Sequence, residues 1–253
     1  CDLSFVAPAH ARDLKAQILS EVLARIGRLG TDVIDAVRPD DLVVGLGDDG
    51  SGWRVRTRLA VDDDGRAGVR AFHGSSIVVG HPCIQPEPGM LDGIDALPCT
   101  PGADVTIVAD EDHVQHIVET APPAAPRRRT RDPRRAAQSG RRRREAARPV
   151  RVIAGTDRAT HRVGDRVWQI PVTGFWQAHR AAPTTYATTV RQMLSAVDLP
   201  VAPTVWDLYG GAGVFAAAAL DELPSTAGVH IVDADPAALA AATETFGGDD
   251  RVH

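Results

Sequence analysis

Three things are scarce in this 253-residue chain, and each scarcity excludes something. Cysteine occurs only at positions 1, 83 and 99, too few and too scattered for a disulfide framework. Lysine occurs once, as Lys15, while arginine is abundant. Together with the richness in Ala, Gly and Pro, this is the coding bias of a GC-rich genome and says nothing of function. No run of 18 apolar residues exists, so no obvious membrane-spanning helix is present. No signal-peptide pattern is visible either, and a cytoplasmic location is the expectation. The chain starts with Cys and stops at "GDDRVH", just after a strand and a helix pattern. We expect a fragment cut at both ends.

What is present suffices for a real core. Hydrophobic residues make up 43% of the chain, and its length fits one large or two ordinary domains. The net charge of −5 is unevenly distributed. Residues 126–151 hold twelve arginines against Asp132 and Glu145, so the remainder is strongly acidic.

The order of patterns gives an organisation. Leu14, Ile18, Val22 and Ile26 recur every four residues, which predicts a helix from Pro8 to about Arg28 with these on its apolar face. "WRVRTRLAV" alternates, with Val55, Thr57, Leu59 and Val61 on one face and Arg54, Arg56 and Arg58 on the other. A turn and "VRAFHGSSIVV" complete a hairpin, and "DVTIVAD" through "EDHVQHIVE" predicts a second. Strands without intervening helices indicate an antiparallel sheet. Residues 121–150 are rich in Pro, Ala and Arg with almost nothing to bury, and a mobile loop or disordered insertion is expected there. After "RVWQIPVTGFWQAH" a helix is predicted past Pro183, with Tyr186, Val190, Met193, Leu194 and Val197 on its apolar side. Strand "TVWDLY", helix "VFAAAALDEL", strand "GVHIVDAD" and helix "PAALAAATETF" then form a βαβα unit. The expected class is α/β: the start of a Rossmann-like doubly wound sheet, preceded by a smaller antiparallel β-rich subdomain. The expected divisions are 1–120 (helix and β-rich region), 121–150 (insertion) and 151–253 (end of the central region and the first βαβα half).

The Gly-rich turn of "TVWDLYGGAGVFAAAAL" lies at the carboxyl end of a strand, where such sheets bind ligands. Gly211 and Gly213 allow backbone angles and close approach that a Cβ forbids. "GAGVFA" satisfies the dinucleotide fingerprint formally. Asp207, just before the glycines, would repel a pyrophosphate and attract the ammonium group of S-adenosylmethionine. Asp233, twenty residues past Gly213, could take ribose hydroxyls in either case. S-adenosylmethionine, a dinucleotide and an ordinary strand-to-helix turn capped by Asp207 all remain open on this turn alone.

"DLYGGAGVF" resembles motif I of the RNA uracil-5-methyltransferases, whose usual form is D-L-[YF]-C-G-x-G-x-F. "GFWQAH" resembles the family's F-[FW]-Q-x-N segment. "WRVRTRLAVDDDGRAGVRAFHGSSIVVGHPC" is similar to its central β segment, which ends at a Cys-Pro pair. "CDLSFVAPAHARDLKAQIL" resembles the stretch that follows C-G-G-C. The four segments occur in the family's order. The most similar subgroup is that of the cluster-containing 23S ribosomal RNA enzymes.

The resemblance implies methyl transfer from S-adenosylmethionine to C5 of a uridine in RNA, with 23S ribosomal RNA as substrate. It puts Gln177 beside cofactor and target base, Tyr209 against the cofactor, Gly211 and Gly213 in the turn, and Asp233 where the family usually has Glu for the ribose. Departures are Gly210 for the motif's Cys, His179 for Asn, Val214 where a polar residue is frequent, and Cys83 preceded rather than followed by its Pro. In the family a [4Fe–4S] cluster is held by three early cysteines and one late one. Cys1 matches the last early ligand and Cys83 the late one. The family's nucleophilic Cys and its base lie in the later half of the methyltransferase domain, so no catalytic residue is assigned here, and the chain as it stands is expected to be inactive.

The target uridine must be single-stranded or flipped out. Arg54, Arg56 and Arg58 are the candidates for RNA phosphates, with a solvated sheet face as the alternative. Trp53, Phe72 and Trp176 could stack on bases, although aromatics are more often core. A tRNA methyltransferase, a nucleotide-linked oxidoreductase and a non-catalytic RNA-binding module remain as alternatives.

Overall fold

The computed structural model describes residues 6–36, 43–47, 50–80, 83–124 and 148–253. Cys1 and most of the Arg-rich stretch lie outside them. The chain divides into two units, Cys1–Ser51 and Gly52–His253.

The first unit carries α1 (Pro8–Arg25) and α2 (Thr31–Ala36). Pro8 opens α1, where its missing N–H costs nothing. The buried residue of α1 is Ala16, whereas Ile18, Val22 and Ile26 are exposed. This departs from the expected apolar face. The side that carries Ala9, Arg12 and Ala16 shares a groove with Val43 instead.

The second unit begins with a six-stranded antiparallel sheet of order β3-β2-β1-β4-β5-β6. Its strands are β1 (Arg56–Val61), β2 (Ala67–Arg70), β3 (Ile77–Val78), β4 (Asp104–Ala109), β5 (Gln115–Thr120) and β6 (Val150–Ala154). Both predicted hairpins form, as β1–β2 and β4–β5. Leu59 and Val61 point with Val105, Ile107, Ala109 and Ile117 into one core, capped by Met90 and Cys99. Val108 and Val118 face the other way, against Ala159 and Val172. The centre of the sheet is therefore covered on both faces, and β4 reads as a nearly continuous apolar run.

A second hairpin layer follows, β7 (Arg158–Val163) with β8 (Arg166–Pro171). The chain returns to the first sheet where the Val55 N–H donates to the Ala178 carbonyl, 2.9 Å. It then runs through α3 (Ala182–Ser195), β9 (Thr204–Leu208), α4 (Val214–Glu222), β10 (Gly228–Val232) and α5 (Pro236–Phe246). Strands β9 and β10 are parallel, with Thr204 opposite Gly228 and Leu208 opposite Val232, so the βαβα unit forms as expected. The four consecutive alanines of α4, Ala216 to Ala219, are all buried. They favour the helix, and their small side chains let Val190 and Leu194 of α3 pack onto the same core. Tyr186, Met193 and Val197 stay partly or largely outside it. Asp235 caps α5 by accepting the Ala237 N–H, 2.9 Å. Among the described residues no helix is long and apolar enough to cross a membrane.

Candidate functional site

The turn between β9 and α4 is built by backbone angles that few side chains tolerate. Tyr209 has φ +60°, Gly211 +57° and Gly213 +83°. Gly213 admits no side chain on packing grounds as well. A Cβ there would lie 2.7 Å from the Phe246 ring and 2.8 Å from Ile231 Cδ1. A Cβ on Gly210 would lie 2.6 Å from Asp207 Cγ, which gives a physical reason for glycine at the position where the family's motif has Cys. Hydrogen bonds from several directions fix the turn. The Gly210 N–H donates to the Val232 carbonyl, 3.2 Å, and the Gly213 N–H to the Gly210 carbonyl, 2.9 Å. Trp168, fully buried on β8, donates its indole N–H to the Ala212 carbonyl, 2.8 Å.

Two carboxylates flank the turn in different ways. Asp207 is buried beneath it and accepts the Ala216 N–H at the start of α4 through Oδ2, 3.0 Å. Burial pushes its pKa up, opposed by that hydrogen bond and reinforced by the charge of Asp233. Asp233, just past β10, accepts the Asp235 N–H through Oδ1, 2.8 Å, and the Gly211 N–H through Oδ2, 2.9 Å. These backbone donors hold its pKa below the usual carboxylate range. A carboxylate has about four lone-pair sites, so acceptor capacity remains. Tyr209 is 91% exposed and stands at the rim of the turn in a conformation unfavourable to it; strain of this kind concentrates at functional sites. The structure thus brings Asp207, Tyr209, Gly211, Gly213 and Asp233 to one place.

Gln177 is half-buried, and its side chain makes no hydrogen bond among the described residues. Its segment reaches the turn through aromatics: Trp176 lies 5.9 Å from Trp168, which holds Ala212. On its other side Trp176 stacks on His161, with ring centroids 4.6 Å apart.

The three strand arginines separate. The Arg54 guanidinium lies 4.7 Å over the Trp53 ring and donates to Gln85 Oε1, 3.2 Å. Arg56 is half-buried and donates to the Val172 carbonyl, 2.7 Å. Burial, and then the charge of Arg58, lower its pKa. Arg58 pairs with Asp104 at 2.6 Å, a carboxylate it shares with Arg148. Of the aromatics, Trp176 is core, Phe72 is exposed, and Trp53 stacks on His179 with ring centroids 5.1 Å apart.

Cys83 is exposed and lines a groove of about 820 Å3 over β1, β2 and β3. Cys99 is buried, and burial raises its pKa. Among the described residues no group of three or more His, Cys, Asp or Glu side chains is arranged to hold a metal ion.

Sequence reasoning missed the part played by Trp168 and a buried polar group at the β4–β5 turn. Asp110 Oδ1 accepts the Asp112 and Val114 N–H groups, each at 2.9 Å, and Oδ2 lies 3.2 Å from His116 Nε2. The Thr156 N–H donates to His116 Nδ1, 3.0 Å, so the ring proton belongs on Nε2, toward Asp110. The one signal was the even spacing of His116 and His161 with inward apolar neighbours, which alternation alone assigns to core.

No protein-family model matches the chain. It is 32% identical over 255 residues to an uncharacterized RNA methyltransferase of Corynebacterium glutamicum, covering 98% of this chain and 56% of that protein. It is 34% identical over 250 residues to an uncharacterized RNA methyltransferase of Corynebacterium diphtheriae, covering 95% and 54%. A relative of the same description from Streptomyces coelicolor is 29% identical over 273 residues, covering 100% and 55%. The chain therefore spans a little over half the length of these relatives. In fold it is similar to the crystal structure of the Pyrococcus abyssi tRNA (uracil-54, C5)-methyltransferase in complex with S-adenosyl-L-homocysteine. That match has a TM-score of 0.50 and 13% identity, and it covers 78% of this chain and 53% of the other. The relatives in sequence are RNA methyltransferases by description, and the neighbour in fold shares the architecture.

Proposed function

We propose that this chain carries the cofactor-binding part of an enzyme that moves a methyl group from S-adenosylmethionine to C5 of a uridine in RNA. The observation that carries the reading is the β9–α4 turn. It is a glycine turn with a buried carboxylate beneath it and a second carboxylate, already oriented by two backbone N–H groups, at the end of the next strand. Asp207 places negative charge under the cofactor's amino-acid end, and Asp233 accepts from the ribose hydroxyls. Gly211 and Gly213 let the backbone approach the nucleoside, Tyr209 covers it, and Gln177 stands between cofactor and base. The same buried charge opposes a pyrophosphate, which argues against the dinucleotide reading.

The RNA assignment is supported by the names of the relatives. Within RNA, the likeness of the Cys1 and Cys83 segments to the cluster-bearing ribosomal enzymes favours 23S ribosomal RNA over tRNA, and a cytoplasmic location accords with either. Arg54 is the best placed of the three arginines for a phosphate, because Arg58 is paired with a carboxylate and Arg56 is tied to the Val172 carbonyl, whereas the partners of Arg54, Gln85 and the Trp53 ring, carry no charge. A [4Fe–4S] cluster needs four thiolates. Cys83 is exposed and can be reached by one, but with Cys1 it makes at most two ligands. The uracil chemistry itself needs a thiolate that adds to C6 and a base that removes the C5 proton; none of the three cysteines follows the βαβα unit, and none is assigned that role.

Titration calorimetry tests the cofactor. S-adenosylmethionine and its demethylated product should both release heat with this chain, and NADH should not. Saturable binding of NADH without either nucleoside would overturn the reading.

A further inference from the structure

A second cavity, of about 310 Å3, opens where the β4–β5 turn meets β7 and the 180–181 segment. Its apolar wall is Val55, Ala109 and Ala181, and its polar wall includes Glu111, His161 and Arg180. Most of the charge around it is already matched. Glu87 pairs with Arg180 and with His113. Asp110 is engaged by His116 and by the backbone of its own turn.

Two groups are left over. His161 is 3% exposed, and its ring nitrogens have no hydrogen-bond partner among the described residues, although the ring is stacked on Trp176. Burial drives its pKa down to about 4, so it presents one neutral N–H donor and one acceptor. Glu111 is exposed, and its carboxyl likewise has no hydrogen bond among the described residues. A ligand in the cavity meets both side chains.

We propose that this cavity is a nucleobase pocket that takes one unpaired guanine of the RNA substrate. The inference rests on the RNA reading above. Guanine presents adjacent N1–H and N2–H donors that a carboxylate accepts as a pair, which suits Glu111. Its O6 and N7 acceptors suit the His161 N–H, and its faces suit the Val55 and Ala181 walls. The excess of carboxylates keeps phosphate out, so the backbone stays at the rim. There the Trp53 and His179 stack, joined to the pocket by the Arg180 N–H donating to the Trp53 carbonyl at 3.0 Å, offers a surface for a neighbouring base.

The test uses the full chain and uridine pentamers with G, inosine, A or U at the centre, measured by fluorescence anisotropy. The G pentamer should bind at least about fivefold more tightly than the inosine one, which lacks the 2-amino group. Glu111→Gln should abolish that preference while leaving the affinity for the all-uridine pentamer unchanged. The His161 ring signals in the NMR spectrum should move with the G pentamer and not with the all-uridine one. Equal affinity for all four, or a guanine preference that survives Glu111→Gln, overturns the pocket and leaves the RNA reading standing. Binding of free guanosine monophosphate as tight as the G pentamer overturns it too, in favour of a small-molecule site. Absence of binding to every pentamer overturns the pocket and the RNA reading together, while the calorimetry with S-adenosylmethionine remains independent of it.

Discussion

Trp168 holds Ala212. The indole N–H of a fully buried tryptophan on β8 donates to a carbonyl inside the cofactor turn, 2.8 Å away. The hairpin before α3 and the turn after β9 are thereby one rigid piece, with Trp176 and Phe246 packed around the same indole. Trp168→Phe keeps most of the packing and leaves the Ala212 carbonyl without its donor. The expected cost is about 1–3 kcal/mol in urea unfolding, with weaker S-adenosylmethionine binding. An unchanged unfolding midpoint would show that the bond contributes nothing.

The two glycines with positive φ should respond unequally to alanine. At Gly211 the space is open, and the variant carries only backbone strain, about 1–3 kcal/mol. At Gly213 the same strain is joined by contacts with Phe246 and Ile231 that the core must move to relieve. Thermal melting should therefore rank wild type above Gly211→Ala and Gly211→Ala above Gly213→Ala. The reverse order would contradict the packing described for the turn.

Asp207 should trade stability against binding. Its folded pKa is raised by burial, so the folded state holds this proton more tightly than the unfolded chain does. Its contribution to stability is therefore present at acid pH and diminishes as pH rises through the carboxylate range. Asp207→Asn removes the buried charge and keeps an oxygen for the Ala216 N–H. At pH 7 the variant should melt at the wild-type temperature or above, and bind S-adenosylmethionine at least about tenfold more weakly, the loss of one charge-assisted contact. A variant that melts lower and binds equally well would remove Asp207 from the cofactor site.

His161 should make the fold acid-sensitive. Its folded pKa lies near 4, below the ordinary 6.5, so between these values the unfolded chain takes up a proton that the native ring refuses. Stability is lost as pH falls through this window, by about 3 kcal/mol in the limit. His161→Phe removes the titrating group and should flatten the dependence of the urea midpoint between pH 7 and 4 relative to wild type. Parallel curves would refute the assignment of a neutral buried ring.

Arg54 and Arg56 should separate RNA contact from structure. Arg56→Ala orphans the Val172 carbonyl and should cost about 1.5–3 kcal/mol, the worth of a bond from a charged donor. Arg54→Ala should leave the melting temperature nearly unchanged, weaken RNA binding and reduce its salt dependence. Equal effects on RNA affinity at equal stability would instead make the whole strand face an RNA surface.

The parts legible in the sequence were those set by local chemistry. Alternation at Leu59 and Val61 gave the inward face of β1, and the Asp-plus-glycine run gave the turn and its two flanking carboxylates. Where one choice depends on a distant partner, pattern was silent. The helical stripe Ile18, Val22 and Ile26 is genuine periodicity, yet Ala16 is the buried position of α1. Arg54, Arg56 and Arg58 look alike in the strand, but only the fold shows Val172 and Asp104 waiting for two of them. Trp168 and Ala212 are 44 residues apart, and no spacing rule joins them.

The central claim is that the β9–α4 turn holds a sulfonium nucleoside between Asp207 and Asp233. Its most direct test is an amide-resolved NMR titration of this chain with S-adenosylhomocysteine. The account predicts saturable shifts concentrated at the amides of Tyr209 to Val214 and Asp233 to Asp235. Saturable shifts confined to other parts of the chain, or none at millimolar ligand, would contradict it.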